Sequence, residues 1–289
     1  MAYPTDRPAT WFVTGASRGL GLELVTQLLE RGDNVAATTR STERLAKALE
    51  GVDTTRLHAV AVDLADEAQV ARAVADAVER FGGLDVVVNN AGYGYLAAVE
   101  EVSDADARAM FDVQIFGVWN VLRAVLPHFR ERGGGHVINV SSILGLLSFP
   151  GWGLYGAGKF ALEALTESLA AEVAGHGIAV NLVEPGYMRT DFLRPASLGL
   201  PQATSDAYPA IREMVEQHLA MPGTQLGDPA RAAAAIIAVA TTGAAPLHQL
   251  LGSDSLGLAG GRLRALAADV EASRDLAVTT DIAPAEAGI

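Results

Sequence analysis

Residues 10–21 read TWFVTGASRGLG, and they are the strongest indication of the fold. Its first five residues are mostly apolar, which is typical of a strand buried on both faces of a sheet. Gly15, Gly19 and Gly21 let the chain turn sharply into a helix whose free N–H groups and positive dipole end suit a pyrophosphate. Tight strand–helix turns also use glycine for purely structural reasons. The strand before and the helix after are what favour a nucleotide site here.

The same alternation of strand and helix continues along the chain. It predicts right-handed crossovers and therefore an α/β fold, a doubly wound, parallel, seven-stranded sheet of the Rossmann-like kind. The predicted strands cover residues 10–14, 34–39, 57–62, 85–89, 136–141, 178–183 and 247–251, and the predicted helices cover 19–31, 42–50, 67–81, 104–130, 155–174 and 229–241.

Two regions interrupt this alternation. Residues 186–227 form a long, proline-containing insertion with one helical piece at 210–219, and such an insertion is typical of a lid over a binding site. Residues 261–276 predict an extra C-terminal helix, and the last ten or so residues are expected to be frayed. We therefore expect one domain over residues 1–289, with its core at about 10–256.

Composition excludes several classes of function. Half of the 289 residues are apolar and 19% are charged, which permits a large core and argues against disorder. The net charge of -13 argues against nucleic-acid binding. The absence of cysteine excludes disulfides, thiol nucleophiles and zinc–thiolate sites. No apolar run approaches the ~18–20 residues of a membrane span, and no signal peptide is recognisable, so a cytoplasmic protein is expected.

Tyr155 and Lys159 are the most informative pair for chemistry. They are four residues apart in a helical pattern and so lie on one face. A nearby ammonium favours the phenolate and lowers the pKa of a tyrosine, which makes the pair a candidate acid/base device. The simpler interpretation is a helix-surface contact. Ser142, thirteen residues before Tyr155 at the end of a buried strand, is a candidate to hold a substrate oxygen beside the phenol.

These motifs together resemble the classical short-chain dehydrogenase/reductase family. The chain has Thr-Gly-x-x-x-Gly-x-Gly at 14–21, Asn-Asn-Ala-Gly at 89–92, Ser142, Tyr155-x-x-x-Lys159 and Pro-Gly at 185–186, in that family's order. The details are most similar to the hydroxysteroid- and retinol-dehydrogenase-like branch and its bacterial relatives. The resemblance covers about residues 10–251.

The resemblance implies a mechanism and a quaternary structure. NADPH would give a hydride to a carbonyl carbon while Ser142 and Tyr155 donate hydrogen bonds to the carbonyl oxygen, and Tyr155 would deliver the proton. Lys159 would tune Tyr155 and bind the nicotinamide ribose. Family members usually form dimers or tetramers through two long helices, which correspond here to residues 104–130 and 155–174. No metal is expected, because lone histidines such as His136 and His218 lack partners at ligand spacing.

The cofactor expected is NADP(H). No acidic residue ends the second predicted strand, where it would bind a ribose 2′-hydroxyl, and Arg40 stands there instead, with Arg18 in the glycine turn. Two guanidiniums suit a phosphate dianion, although each can also be an ordinary solvated arginine. Asp63 would reach the adenine edge or serve as a turn cap. The predicted cofactor-binding residues are Gly15, Ser17, Arg18, Gly19, Leu20, Gly21, Arg40, Asp63, Leu64, Asn90, Ala91, Gly92, Tyr155, Lys159, Pro185, Gly186, Met188 and Thr190.

One position departs from the family pattern. Gln114 stands where the family typically has an asparagine that supports a helix kink and a proton-relaying water. The longer amide would hold the water at a shifted place, fill that place itself, or break the relay. Two interpretations of Gln114 fit the sequence. It is a tolerated substitution in a reductase, or it belongs to an altered, redox-neutral chemistry (cyclase, epimerase or dehydratase). A nucleotide-binding sensor without turnover is a third possibility, against which the intact Ser142, Tyr155 and Lys159 set argues.

The substrate is expected to be an apolar, bulky ketone or alcohol. Many apolar and aromatic residues occur in the lid and beside the catalytic motifs, although such residues are equally typical of a core. The predicted pocket residues are Tyr93, Leu144, Phe149, Trp152, Tyr187, Phe192, Tyr208 and Met214.

Overall fold

The structure, a computed structural model, describes residues 3–282. Its strands are β1 (Thr10–Thr14), β2 (Asn34–Thr39), β3 (Leu57–Ala61), β4 (Val86–Asn89), β5 (Gly94–Tyr95), β6 (Gly135–Val140), β7 (Ile178–Pro185), β8 (Leu198–Gly199) and β9 (His248–Leu251). Seven of them form a parallel sheet in the order β3-β2-β1-β4-β6-β7-β9, and the two-residue strands β5 and β8 pair with each other outside it. The predicted seven-stranded, doubly wound sheet is confirmed.

Helices cover both faces of this sheet. They are α1 (Gly19–Glu30), α2 (Thr42–Ala48), α3 (Glu67–Phe81), α4 (Asp104–Phe111), α5 (Gly117–Arg132), α6 (Gly153–Val173), α7 (Pro209–Ala220), α8 (Pro229–Thr242) and α9 (Ser253–Ala277). One core cluster packs α1, α2 and α8 on one face, and a second packs α3, α5 and α6 on the other. The central strands are apolar on both faces because both faces are covered.

The predicted helix 104–130 is interrupted. A π-helical turn over Asp112–Phe116 separates α4 from α5, and the Gly117 N–H donates to the Asp112 carbonyl five residues back. The extra residue in this turn directs Gln114 inward, where it is 1% exposed. Apolar spacing does not reveal such a turn, because one inserted residue leaves the pattern on either side intact. π-turns of this kind are frequent at functional sites.

The C-terminal helix was predicted too short. α9 begins at Ser253 instead of residue 261, because buried Ser255 and Ala259 anchor its first turns despite the low helix propensity of the glycines nearby. The other predicted boundaries agree within two residues. The lid helix predicted at 210–219 is α7. The predicted fraying of the last ten or so residues falls mostly on residues 283–289, which lie outside the described part of the chain.

The helical stretch Asp104–Arg132 is long and apolar enough, by length and composition alone, to cross a membrane. Half of its apolar window is buried inside the protein. Within the protein, this stretch packs against α3 and α6.

Candidate active site

One continuous cavity of ≈ 890 Å³ opens at the carboxyl ends of the central strands. It spans the point between β1 and β4 where the strand order reverses, which is where parallel α/β sheets bind their ligands. Every predicted cofactor-binding residue lines it, and so does Ser142. We call the part formed by the glycine turn and the ends of β2, β3 and β4 the cofactor half. The part formed by Leu144, Phe149, Trp152, Tyr187 and Phe192 is the substrate half.

Close backbone contacts build the glycine turn of the cofactor half. Gly15 has φ +70, and a Cβ placed on it would lie 2.7 Å from the Ala91 Cα. A Cβ on Gly21 would lie 2.4 Å from both the Asn90 Nδ2 and the Gly15 carbonyl oxygen. The Asn90 side chain donates to the Thr14 carbonyl at 2.9 Å. The turn therefore leaves no room for a side chain at either glycine, and Asn90 also holds the turn against β4.

Three arginines surround the adenosine end of the cofactor half. Arg18, Arg40 and Arg44 all line the cavity, and none forms an ion pair with a carboxylate among the described residues. Burial lowers the pKa of Arg18, and the neighbouring Arg40 and Arg44 lower it further. The Arg18 Nη1 also donates to the Ala196 carbonyl of the lid at 2.6 Å. This cluster is electrostatically under-compensated and suits a phosphate dianion. The sequence interpretation missed Arg44, which lies in the first turn of the helix that follows Arg40.

The position of Asp63 is compatible with both predicted roles, contact with the adenine edge and capping of a turn. It lines the cavity, and its Oδ1 accepts from the Ala65 N–H at 3.0 Å. Its backbone N–H donates to the Gln69 Oε1 at 3.1 Å. The carboxylate therefore caps its own turn while remaining open to the cofactor half.

Ser142, Tyr155 and Lys159 converge at the junction of the two halves. Tyr155 is 6% exposed, and its phenol lies within hydrogen-bonding reach of Ser142. The Lys159 Nζ lies 5.6 Å from the centroid of the Tyr155 ring and donates to the Val140 carbonyl at 3.0 Å. The ammonium therefore faces the ring of the tyrosine and is anchored to the end of β6.

The pKa of Tyr155 differs from the sequence expectation. Burial raises it to about 12, and the hydrogen bond with Ser142 opposes that rise. Burial also lowers the pKa of Lys159 to about 8, while the charge of Glu163 raises it. Desolvation decides the direction, because no hydrogen bond joins Lys159 to the phenol among the described residues and the ammonium lies over the ring. With a pKa of about 12, the phenol carries its proton at neutral pH.

Gln114 lies behind the cavity without lining it. Its Nε2 donates to the Tyr93 carbonyl at 2.9 Å, and its Oε1 is buried without a hydrogen-bond partner among residues 3–282. A Cβ placed on Gly92 would lie 3.8 Å from both the Gln114 Cδ and the Lys159 Nζ. The amide therefore sits beside the lysine, with one acceptor left unused.

Aromatic rings form the wall of the substrate half. The Tyr155 ring packs edge-on against Trp152 and Phe192, with centroids 5.5 and 5.6 Å apart. His218 lies behind this wall: its Nε2 is 2.8 Å from the Tyr187 hydroxyl and 3.3 Å from the Trp152 Nε1. The His218 Nδ1 lies 2.8 Å from the Met214 carbonyl, which assigns the proton to Nδ1 and leaves Nε2 to accept both bonds. The sequence interpretation set His218 aside as a lone histidine.

Two predicted pocket residues do not line the cavity. Tyr208 forms a hydrogen bond with Glu100 at the surface, and Met214 packs into the apolar cluster behind Trp152. Glu101 instead anchors this part of the lid: it accepts from the Ser205 N–H at 2.7 Å and pairs with Arg212. The path of the lid, which local sequence does not specify, decides which of its apolar residues reach the cavity.

Comparisons with known proteins agree with this geometry. A family model described as short chain dehydrogenase matches residues 9–199. Oxidoreductase BOA17 of Botryotinia fuckeliana is 36% identical over 270 residues, which are 93% of this chain and 98% of that protein. A short-chain dehydrogenase from Streptomyces avermitilis superposes with a TM-score of 0.87 at 37% identity, covering 96% of this chain and 100% of that one. A short-chain dehydrogenase from Burkholderia cenocepacia, solved with NADP, has a TM-score of 0.70 at 30% identity, covering 94% and 97%. Another solved match is in complex with NAD.

Proposed function

Because the chain belongs to the short chain dehydrogenase family and is an oxidoreductase of that family, we propose that it uses NADP to reduce the carbonyl group of an apolar, bulky small molecule, or to oxidise the corresponding alcohol. The observation that carries this proposal is the continuity of the cavity. A nucleotide cradle, a protonated tyrosine and an aromatic wall border the same ≈ 890 Å³ space.

The cofactor half provides the binding contacts. The N–H groups at the start of α1 and the tight turn at Gly15 and Gly21 receive the pyrophosphate. Lys159 lies at the junction, where ribose hydroxyls would accept hydrogen bonds from its Nζ. NADPH, when bound, supplies the hydride that becomes the new C–H bond of the alcohol. The fit is supported by the lack of space for any Cβ at Gly15 and Gly21 and by the unpaired arginines.

The protein supplies the proton and the orientation. Tyr155 holds its proton at the phenol oxygen and delivers it to the substrate oxygen as the carbonyl becomes an alcohol. Ser142 donates a second hydrogen bond to the same oxygen, where negative charge develops. Solvent then returns a proton to Tyr155. Trp152 and Phe192, packed on the tyrosine ring, exclude water from the apolar side.

NADP is proposed over NAD because of the arginine cluster. Arg40→Asp replaces a positive side chain facing the 2′-phosphate by a negative one. It should weaken NADPH binding by about tenfold or more, while NADH binding changes little. Arg72→Asp is a matched control, since it makes the same charge reversal at an exposed position on α3 outside the cavity. Fluorescence titration with both cofactors measures the ratio, and an unchanged ratio would reject the NADP preference.

A redox-neutral function is the second candidate, because Gln114 stands at the family's asparagine position. The Gln114 Oε1 has no hydrogen-bond partner among the described residues and would either hold the relay water of a reductase at a shifted place or belong to an altered, redox-neutral site. Incubation with NADPH and a panel of apolar ketones separates the candidates. Steady loss of the NADPH absorbance supports the reductase. Product formation without that loss supports the redox-neutral enzyme, and cofactor binding with no product supports a sensor.

A homo-oligomer is also proposed. Three large apolar side chains are exposed on the long helices. They are Phe116 just before α5 (52% exposed), Trp119 on α5 (43%) and Phe160 on α6 (41%). Surface patches of this kind are typical of protein–protein contacts. Light scattering after size-exclusion chromatography should give a dimer or tetramer, and a 30 kDa monomer would contradict this.

A further inference from the structure

Three titratable side chains from separate elements meet outside the cavity. Glu163 lies on α6 one turn after Lys159, Glu184 lies near the end of β7, and His248 begins β9. The His248 Nδ1 is 2.7 Å from the Glu184 Oε1 and 3.5 Å from the Glu163 Oε2. One ligand-type atom from each residue lies within 4.8 Å of the other two. None of the three lines the cavity.

The two carboxylates are buried with one regular hydrogen bond to a side chain, which the Glu184 Oε1 accepts from the His248 Nδ1 when that nitrogen carries a proton. Burial lowers the pKa of His248, but its hydrogen bond with Glu184 and the neighbouring carboxylates raise it overall, so a protonated His248 is itself a cationic partner. Glu163 is 5% exposed and Glu184 is 0% exposed. Both oxygens of Glu163 and the Oε2 of Glu184 lack a hydrogen-bond partner of regular geometry among the described residues. An uncompensated buried carboxylate is costly and normally acquires a proton, a cationic partner or a metal. The other groups facing the cluster are the Ser141 hydroxyl and Lys159 on the inner side and Glu167 on the outer side.

The three ligand atoms are close enough to become a coordination shell after a small separation of His248 and Glu184. Ligands bound at about 2.0–2.2 Å to a tetrahedral Zn²⁺ lie about 3.4 Å apart. The two distances at His248 lie on either side of that value. The other ring nitrogen, Nε2, is 3.5 Å from the Glu167 Oε1. A carboxylate behind a histidine is the usual arrangement that orients a metal-binding imidazole.

We propose that Glu163, Glu184 and the Nδ1 of His248 form a binding site for a divalent transition-metal cation, with Zn²⁺ as the best match to one nitrogen and two oxygen ligands. The ion reaches the site from the outer side, where the side chains of His248 and Glu167 are 37% and 56% exposed. It joins α6, β7 and β9, so its main effect is on stability. Water completes the coordination from the same side.

A shared proton is the competing occupant. Burial raises the pKa of Glu163 to about 7 and also raises the pKa of Glu184, so a proton between the two carboxyl groups would relieve the same burial. The two occupants differ in the response to added metal. If the cluster keeps its proton, added metal gives neither stoichiometric binding nor a gain in stability, whereas a metal site exchanges the proton for one ion per chain and gains stability from it.

Zn²⁺ itself is the probe. Full-length protein without a histidine tag is dialysed against a chelator, then titrated with Zn²⁺ by calorimetry and melted with and without the ion. The wild type should bind one Zn²⁺ per chain and show a higher Tm in its presence. Glu163→Gln and His248→Asn should each weaken binding by more than about tenfold and abolish the Tm increase, and Glu167→Gln should weaken it by about tenfold.

Matched substitutions at exposed positions control for surface binding. Glu172→Gln and His176→Asn, both on exposed sites near the end of α6, should leave the Zn²⁺ affinity and the Tm increase unchanged. Circular dichroism and a cooperative thermal transition without metal establish that each variant is folded. Absence of stoichiometric binding by the wild type, or binding that survives Glu163→Gln and His248→Asn, would overturn the metal site. The test needs no catalytic activity, so its outcome is independent of the proposed oxidoreductase reaction.

Discussion

The cofactor half of the cavity depends on a close backbone turn, with charged side chains at its adenosine end, whereas the wall of the substrate half consists of aromatic and apolar side chains. In the cofactor half, the turn at Gly15 and Gly21 leaves no space for a Cβ. In the substrate half, aromatic rings pack on Tyr155 and are supported by His218 from the lid. Changes in the first should therefore alter cofactor affinity, and changes in the second should alter substrate use.

The largest expected effect is a loss of turnover without a loss of NADPH affinity, on substitution of Tyr155 at the junction of the two halves. Tyr155→Phe removes the proton donor and should lower turnover by about 10²–10⁴-fold. The NADPH dissociation constant should remain within about twofold, because the ring and its packing are kept. Tyr208→Phe removes a phenol that does not line the cavity and should leave turnover unchanged. Retained turnover in Tyr155→Phe would exclude the acid role.

The next effect concerns the backbone of the cofactor half. Gly21→Ala places a methyl group 2.4 Å from the Asn90 Nδ2 and the Gly15 carbonyl. Relieving that overlap should cost about 1–3 kcal/mol, or at least fivefold in NADPH affinity. Gly257→Ala is the matched control, since nothing lies within 4 Å of its new Cβ on α9. Equal NADPH affinity in Gly21→Ala would show that the backbone turn does not shape the cofactor half.

The two regions also differ in how much of each could be predicted from the sequence. The glycine turn follows from its spacing directly after β1, and Tyr155 and Lys159 follow from their spacing on one helix, while the other predicted cofactor residues follow from the family resemblance. Tyr208 and Met214 were misplaced because the lid path depends on contacts distant in sequence, such as that of Glu101 with Arg212. The tyrosine pKa was predicted in the wrong direction because burial is a property of the folded protein.

A smaller effect is the pH dependence at the junction. The pKa of Lys159 is about 8, so its positive charge is present below that pH and is lost as pH rises through it. The value of kcat/KM for NADPH reports ionisations of the free enzyme and should fall by up to about tenfold per unit above pH 8. Tyr155, with a pKa of about 12, does not titrate in this range. Lys159→Arg should remove the inflection near pH 8, and its persistence would assign it to another group.

The smallest effect is expected in the substrate half. His218→Asn removes the Nε2 acceptor shared by the Tyr187 hydroxyl and the Trp152 Nε1–H. Losing one such hydrogen bond costs about 1 kcal/mol, so KM for an apolar ketone should rise about fivefold with NADPH affinity unchanged. His176→Asn, at an exposed position, is the control. If His218→Asn changed NADPH affinity and left KM for the ketone unchanged, the assignment of His218 to the substrate half would be contradicted.

The central claim is that both halves form one reaction space in which hydride and proton reach the same carbonyl group. The most direct measurement uses NADPH that carries deuterium at both hydrogen positions of the nicotinamide C4, so that either face transfers label, and a ketone that the enzyme converts. Mass spectrometry should find deuterium on the carbinol carbon of the product alcohol, in proportion to the NADPH consumed. Product that lacks the label, or that forms without consumption of NADPH, would contradict the account.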